Sequence, residues 1–222
     1  MTELARQAVN DEHAAQQTQE LAAFGAYLLT PSIVRPSGEP NPLRTIVEIG
    51  SYQGGTLWFW RRLAPEAKIV SVDLHIDCAG CAHRRAHSDC PRARVRQNAD
   101  VVIEADSRAP GTIADVAREV GAARLIDGAG VLADGAGIDL LFIDGDHSFE
   151  AVEADFQNYA PMLSGSGVVA LHDITAPALT LPDGDEPHDG AVKLWHNLSK
   201  MIPQAFAIQH GAWGGIGVIP KP

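Results

Sequence analysis

The sequence predicts an α/β fold, with a doubly wound and mostly parallel sheet that carries helices on both faces. Short apolar runs that end in turn residues alternate along the chain with longer segments of helical periodicity, as in βαβ units. Each predicted parallel strand ends on an acidic residue or within two residues of one. Because ligands of such sheets bind outside the carboxyl ends of the strands, these residues are the first candidates for a site.

The elements follow from local patterns of apolar, turn and helix-breaking residues. Residues 3–29 are predicted as one helix, which ends before a segment with four prolines, residues 30–44. Parallel strands are predicted at residues 45–50, 67–74, 99–107, 138–146 and 166–174, and helices at 56–64, 111–122, 148–163 and 191–202. No regular element is predicted for residues 75–98. Residues 205–220 are predicted as two strands joined by a tight turn, which would close the sheet antiparallel.

The composition is that of an ordinary globular protein. Of 222 residues, 45% are hydrophobic and 20% are charged, and the formal net charge is −11. An acidic surface repels phosphate backbones, so we expect no nucleic-acid partner. No apolar run approaches the ~18 residues of a membrane helix, and the polar N-terminus does not resemble a secretory signal. The sequence therefore predicts a cytoplasmic protein without a membrane partner.

The turn after the first strand and the acids after the next two strands suit a nucleotide-like ligand. Gly50 and Gly54 in VEIGSYQGG permit close backbone approach, and Asp73 can accept both hydroxyls of a ribose. An ordinary βα turn, with Asp73 as a helix N-cap, explains the same residues without a ligand.

The ordered motifs EIGSYQGG, VSVDL, EADS, IDLLFIDGDHSFEAVEADF and GVVALHDI resemble class I S-adenosylmethionine-dependent methyltransferases. Within that class, the chain looks most like metal-dependent small-molecule O-methyltransferases of the cephalosporin-hydroxylase and macrolide-sugar type. The resemblance covers about residues 20–219 and implies a Rossmann-like, seven-stranded sheet with a reversed C-terminal hairpin. It implies that S-adenosylmethionine binds at Glu48, Gly50, Ser51, Gly54, Asp73, Asp106 and Ser107.

The resemblance also implies a divalent ion, Mg²⁺ or a similar one, at Asp144 and Asp173, with His147 as general base. His172 stands where the family usually has a carboxylate; we include it among the ligands, and its imidazole would favour a softer ion such as Mn²⁺ or Zn²⁺. Such an ion lowers the pKa of a bound hydroxyl, and an imidazole can accept the proton at neutral pH. The alternatives are an Asx turn at Asp144, a helix cap at Asp146 and a solvent-facing His147.

A cluster of cysteines and histidines occupies the segment at residues 75–98, which we interpret as an insert. Thiolates in a C-x-x-C turn, with a third cysteine and a histidine, can form a structural zinc site, here Cys78, Cys81, Cys90 and His87. A redox pair or unrelated thiols are the alternatives, and the family resemblance does not support this zinc site.

The chain divides into residues 1–44, a helical segment that would serve as a lid or a homodimer contact, and residues 45–222, the S-adenosylmethionine-binding domain. The predicted function is divalent-metal-assisted O-methylation of a small hydroxylated acceptor. A non-catalytic S-adenosylmethionine-binding or zinc-binding protein of the same fold remains an alternative. A hydroxylase-like relative remains another, because His147, His172 and Asp173 could imitate the ligands of a non-haem iron site.

Overall fold

The computed structural model describes residues 1–12, 14–30, 43–74, 90–123, 132, 135–175, 190–211 and 213–221. The helices are α1 Thr2–Asn10, α2 Thr18–Leu28, α3 Gly55–Leu63, α4 Pro91–Asn98, α5 Pro110–Glu119, α6 Phe149–Tyr159 and α7 Gly190–Met201, and a 3-10 turn spans Ala160–Met162. The strands are β1 Thr45–Ile49, β2 Lys68–Asp73, β3 Val101–Glu104, β4 Ile138–Ile143, β5 Leu163–His172, β6 Phe206–Ile208 and β7 Ile216–Pro220.

The seven strands form one sheet in the order β3-β2-β1-β4-β5-β7-β6. β1 to β5 pair in parallel, whereas β7 pairs antiparallel with both β5 and β6. The chain leaves β1 toward β2 and β3 and then returns to β4 on the other side of β1. The predicted fold is therefore confirmed, and the strand order reverses between β1 and β4, where such sheets hold ligands.

Alternate residues of the strands pack into two apolar layers, one on each face of the sheet. One layer joins α1 to α4 with inward residues such as Ile46, Leu140 and Phe142. The other joins α5, α6 and α7 with Val47, Leu141 and their neighbours. Because side chains alternate along a strand and helices cover both faces, the strands read as continuous apolar runs.

Residues 3–29 do not form the single helix that we predicted. The chain leaves helical geometry after Asn10 and resumes it at Thr18. Ala14, between the two helices, packs on the start of α3, where a Cβ on Gly55 would lie 2.2 Å from the backbone nitrogen of Ala14. Tertiary contact thus outweighs local helix propensity here. α1 and α2 also belong to the core, where Leu21 and Phe24 are fully buried.

Three further expectations were wrong in detail. Residues 91–98 form helix α4 rather than part of an irregular insert, and Pro91 begins it because the first helical turn does not need that residue's N–H. β3 ends at Glu104 instead of continuing to residue 107, and residues 209–215 join β6 to β7 where we expected a tight turn. Among the described residues, no helix combines the length and apolarity needed to cross a membrane.

Candidate functional site

A cavity of about 570 Å³ opens at the carboxyl ends of β1, β2, β4 and β5. Its base lies where the turns after β1 and β4 touch. Gly50 has a φ of +85°, and a Cβ there would lie 2.1 Å from the carbonyl oxygen of Asp144, so a larger residue would separate the two turns. Gly50 lines the cavity and is also required for this close approach.

Asp73 holds the β1–α3 turn against the end of β2. Its Oδ2 accepts hydrogen bonds from the backbone N–H groups of Ser51, at 2.7 Å, and Tyr52, at 2.9 Å. Asp73 and Tyr52 line the cavity, and the Tyr52 side chain is 62% exposed. The carboxylate predicted to bind a ribose therefore lies at the cavity wall.

Two other predicted cofactor residues of this turn are explained by packing. The buried hydroxyl of Ser51 lies 2.6 Å from that of Ser71. Gly54, with a φ of +77°, begins α3 beside α4, and a Cβ there would lie 3.0 Å from Val95 Cγ2. Neither residue is part of the cavity lining in the described chain.

Glu48 lies behind the cavity, in the core, and not at its surface as we predicted. Its carboxylate accepts hydrogen bonds from Thr56 Oγ1, at 2.8 Å, and Trp60 Nε1, at 2.5 Å. Burial raises the pKa of Glu48 to about 8 despite these donors. The carboxyl of Glu48 therefore joins β1 to α3. No part of Glu48 is exposed for a cofactor to contact.

The turn after β3 forms another part of the wall. Asp106 and Ser107 both line the cavity. Asp106 accepts hydrogen bonds from the backbone and the guanidinium of Arg108, which lower the pKa of its carboxyl. The carbonyl oxygen of Ser107 accepts from the Tyr159 hydroxyl at 2.6 Å, so α6 supports the turn.

Four ionisable side chains from the ends of β4 and β5 meet at the other side of the cavity. His172 Nδ1 lies 3.0 Å from Asp144 Oδ1 and 3.4 Å from Asp173 Oδ2. His147 Nε2 lies 3.9 Å from Asp144 Oδ1 and 3.6 Å from Asp173 Oδ2. Two carboxylates thus alternate with two imidazoles, and all four side chains line the cavity.

The protonation of this acid–imidazole cluster depends on these contacts. Burial acts to raise the pKa of Asp144, but His172 and His147 outweigh burial and hold that pKa below its usual range. The nearby carboxylates of Asp144 and Asp173 raise the pKa of His147. Burial acts to lower the pKa of His172, but Asp144 and Asp173 raise it to about 10. These shifts favour an ionised Asp144 next to protonated imidazoles at His147 and His172.

Asp144, His147 and Asp173 each offer one ligand atom, and these three atoms lie within 4.8 Å of one another, close enough to share an ion. This set contains His147 where the prediction had His172. The His172 side chain is only 2% exposed, and its Nε2 has no hydrogen-bond partner in the described part of the chain. Asp173 has a φ of +58°, a strained conformation for a residue with a Cβ. The prediction that His172 is a ligand stays a prediction.

Asp146 does not join the cluster. Its Oδ1 accepts a hydrogen bond from the backbone N–H of Ser148 at 2.8 Å, and Ser148 is the residue before α6. The short FIDGDHSFEAV segment therefore divides its polar residues between two tasks. Asp144 and His147 reach the cluster, whereas Asp146 shapes the start of the helix.

Sequence reasoning missed one residue of this site, Gln16, which lies between α1 and α2. Its Nε2 donates to Asp144 Oδ2 at 2.6 Å, and only 3% of the residue is exposed. The neighbouring Ala15 lines the cavity. No sequence signal could have found Gln16, because 128 positions separate it from Asp144.

Of the predicted zinc ligands, only Cys90 lies within the described residues; Cys78, Cys81 and His87 lie outside them. Cys90 is buried, and its Sγ accepts a hydrogen bond from Ala93 N at 3.3 Å at the start of α4. This contact gives the third cysteine a structural role, and the zinc site stays a prediction.

Comparisons with known proteins identify solved structures that have a similar fold. A candidate caffeoyl-CoA O-methyltransferase from Staphylococcus aureus superposes with a TM-score of 0.58 and 13% identity, over 98% of this chain and 91% of that one. The MycE methyltransferase of the mycinamycin biosynthetic pathway, in complex with Mg and SAH, superposes with a TM-score of 0.57 and 15% identity, over 99% of this chain and 55% of that one.

A curated relative, an uncharacterized protein y4gI from Sinorhizobium fredii, is 35% identical over 82 residues. The match spans 35% of this chain and only 8% of that protein. The family model described as a methyltransferase domain matches residues 47–174, more than half of the chain, from β1 to just beyond β5. The chain therefore belongs to the methyltransferase-domain family.

Proposed function

We propose that the protein transfers a methyl group from S-adenosylmethionine to an oxygen of a small hydroxylated molecule, assisted by a divalent ion such as Mg²⁺. One observation carries this proposal. Asp144, His147 and Asp173 meet at the switch point of a methyltransferase-family sheet, beside a cavity that Gly50 and Asp73 also line.

The cavity suits a ligand of the size of S-adenosylmethionine. Its volume of about 570 Å³ falls in the range of ordinary ligand pockets, ~300–1,000 Å³. Asp73 supplies a carboxylate for ribose hydroxyls, and the turn at Asp106 and Ser107 lies beside it for the adenine. Gly50 allows the methionine end to approach the backbone. The SAH bound to MycE supports this assignment by analogy of fold.

The acid–imidazole cluster suits a hard divalent ion. The carboxylates of Asp144 and Asp173 are the oxygen ligands that such ions prefer. A divalent ion bound there would lower the pKa of an acceptor hydroxyl and orient its oxygen toward the methyl donor. In the structure, His147 and His172 lie beside these carboxylates, in positions that favour a positive charge.

With Asp144 and Asp173 as the ligands of the ion, His147 is our candidate for the general base, and its Nε2 would take the proton rather than bind the ion. In the ion-free protein the contact with Asp144 raises the pKa of His147, which favours the protonated ring. A cation next to the ring repels that proton and shifts the pKa downward, toward the value a base needs at neutral pH. His172, held between Asp144 and Asp173, would position both carboxylates.

Two alternatives remain weaker. A hydroxylase with non-haem iron uses two histidines and one carboxylate, whereas the set of ligand atoms within reach of one ion contains two carboxylates and one histidine, His147. A non-catalytic binding protein would not need the strained backbone at Asp173 beside two imidazoles. The homodimer contact through the N-terminal helix and the cytoplasmic location stay predictions.

Calorimetric titration with S-adenosylmethionine, with and without Mg²⁺, tests the function. We expect micromolar binding that weakens at least about tenfold in Asp73→Ala, because ribose contacts and the β1–α3 turn are both lost. Asp115→Ala, an exposed change on α5, is the control and should bind like the wild type. Absence of S-adenosylmethionine binding under both conditions would contradict the proposal. Binding would justify a screen of hydroxylated acceptors.

A further inference from the structure

The segment between α1 and α2, of which the structure describes residues 11, 12 and 14–17, is fixed beside the cavity by contacts at several points. Arg94 Nε donates to Glu12 Oε2 at 3.0 Å, and only 9% of Arg94 is exposed. Ala14 packs on Gly55. Gln17 Nε2 donates to the carbonyl oxygen of Trp213 at 2.5 Å. These contacts on both sides of Gln16 hold its side chain against Asp144.

The amide of Gln16 is only half satisfied. Its Nε2 faces Asp144 Oδ2 at 2.6 Å, whereas its buried Oε1 has no hydrogen-bond partner within the described ranges of the chain. Without a cation, a carboxylate forces the amide to present its nitrogen, because two oxygens would repel each other. This arrangement leaves a buried acceptor unsatisfied, which is unfavourable.

A divalent ion at Asp144 reverses this preference. The side of the amide that faces the ion must then be the oxygen, since an N–H group repels a cation. A half-turn of the amide about its last torsion exchanges the two atoms, so that Oε1 takes the position beside Asp144 Oδ2. A neutral amide oxygen is a common ligand of hard cations and adds no charge to the site.

We propose that Gln16 is a further ligand of the divalent ion and contributes Oε1 from the N-terminal segment. This inference rests on the proposed function, because it requires an ion at Asp144 and Asp173. It goes beyond that function by making the segment between α1 and α2 part of the metal centre. Ion binding would then also hold this segment against the cavity.

The test is calorimetric titration of the full chain with Mn²⁺ and with Mg²⁺, without an acceptor. Gln16→Leu keeps the size of the side chain and removes the ligand, so we expect the ion affinity to fall about tenfold or more. Gln16→Glu restores an oxygen and adds charge, so its affinity should match or exceed that of the wild type. Gln17→Leu removes the neighbouring amide, which anchors the same segment to Trp213 but does not contact Asp144, so the affinity should fall clearly less than in Gln16→Leu.

Three results with the Gln16 and Gln17 variants would overturn the proposal. Gln16→Leu could bind the ion as tightly as the wild type or more tightly. Either result would mean that the amide does not bind the ion, or that it competes with the ion for Asp144. Gln16→Leu and Gln17→Leu could weaken binding equally, which would indicate a general effect of the segment. If Gln16→Leu fails to fold by circular dichroism, a weakened ion affinity in folded Gln16→Glu contradicts the ligand role.

The wild type and Asp144→Asn, titrated alongside, separate this inference from the proposed function. A wild-type protein that binds no ion contradicts both. An ion that is lost in Asp144→Asn but retained in Gln16→Leu contradicts only the role of Gln16, and the proposed metal site stands.

Discussion

The two ends of β4 carry aspartates with different surroundings: Asp139 is buried, whereas Asp144 is partly exposed to the cavity. Asp139, near the amino end, accepts hydrogen bonds from Arg44 N at 2.8 Å, Thr45 N at 3.1 Å and Ser164 Oγ at 2.6 Å. Asp144, after the carboxyl end, instead contacts the side chains of His172 and Gln16 and lies near His147.

This difference separates a structural acid from a candidate functional one. Asp139 faces two backbone N–H groups and a hydroxyl, which hold the start of β1 and β5 against β4. Asp144 faces side chains that can turn or titrate, and it lines a cavity. An acid that can exchange its partners can bind a ligand, whereas an acid fixed by the backbone stabilises the fold.

The largest expected effect is on ion binding. Asp144→Asn removes a charged ligand, so we expect the affinity for Mn²⁺ to fall by at least ~100-fold, more than for loss of a supporting contact. Asp139→Asn is the matched control on the same strand and should bind the ion like the wild type. Calorimetric titration measures both, and equal affinities in the two variants would contradict the division of roles.

Asp139 should dominate stability instead. Asp139→Ala leaves two backbone N–H groups and the Ser164 hydroxyl without their acceptor, so the free energy of unfolding should fall by about 3 kcal/mol. Urea denaturation followed by circular dichroism measures this change. A loss below about 1 kcal/mol would show that water replaces the carboxylate.

Glu48 sharpens the comparison, because it is a buried acid of the core whose pKa is raised to about 8 from an ordinary value of 4.5. The unfolded chain releases this proton near pH 4.5, whereas the folded chain holds it until about pH 8. Between these values the folded state binds more protons, so the stabilisation present at low pH is lost as the pH rises, at up to about 1.4 kcal/mol per pH unit.

Glu48→Gln cannot titrate and can still bond to Thr56 and Trp60. Its free energy of unfolding should therefore fall less steeply than that of the wild type between pH 5 and pH 8, by about that slope. Urea denaturation at several pH values measures the difference. Parallel curves for the two proteins would mean that Glu48 is ionised in the fold.

The smallest effect is expected two residues beyond Asp144. Asp146→Ala removes the hydrogen bond to Ser148 N before α6 and should lower the free energy of unfolding by about 1 kcal/mol. Ion affinity should not change, because Asp146 contacts the helix start and not the cluster. A loss of ion binding in this variant would place Asp146 in the metal site.

The sheet could be predicted because its signals are local. Buried parallel strands such as β4 are continuous apolar runs, and the acids that follow them mark the carboxyl edge of the sheet. The convergence of Asp144, His147 and Asp173 follows from that edge. The same patterns do not reveal the break between α1 and α2, because contact with Gly55 determines it.

The direction of a side chain was the second feature that the sequence did not predict. The family resemblance implied that Glu48 contacts the cofactor, but its carboxylate points to Trp60 in the core. In an extended strand, alternate residues point to opposite faces, so proximity in sequence to a ligand turn does not show which side a residue takes. Gln16 was missed for the opposite reason, since its contact joins distant parts of the chain.

The most direct test of the metal site is a crystal structure of the protein with Mn²⁺ and S-adenosylmethionine, with anomalous diffraction used to locate the ion. We expect one strong peak bounded by Asp144 and Asp173, with S-adenosylmethionine in the cavity against Asp73. An ion found only elsewhere on the chain, or no peak at saturating Mn²⁺, would contradict a metal-assisted methyltransferase at this site.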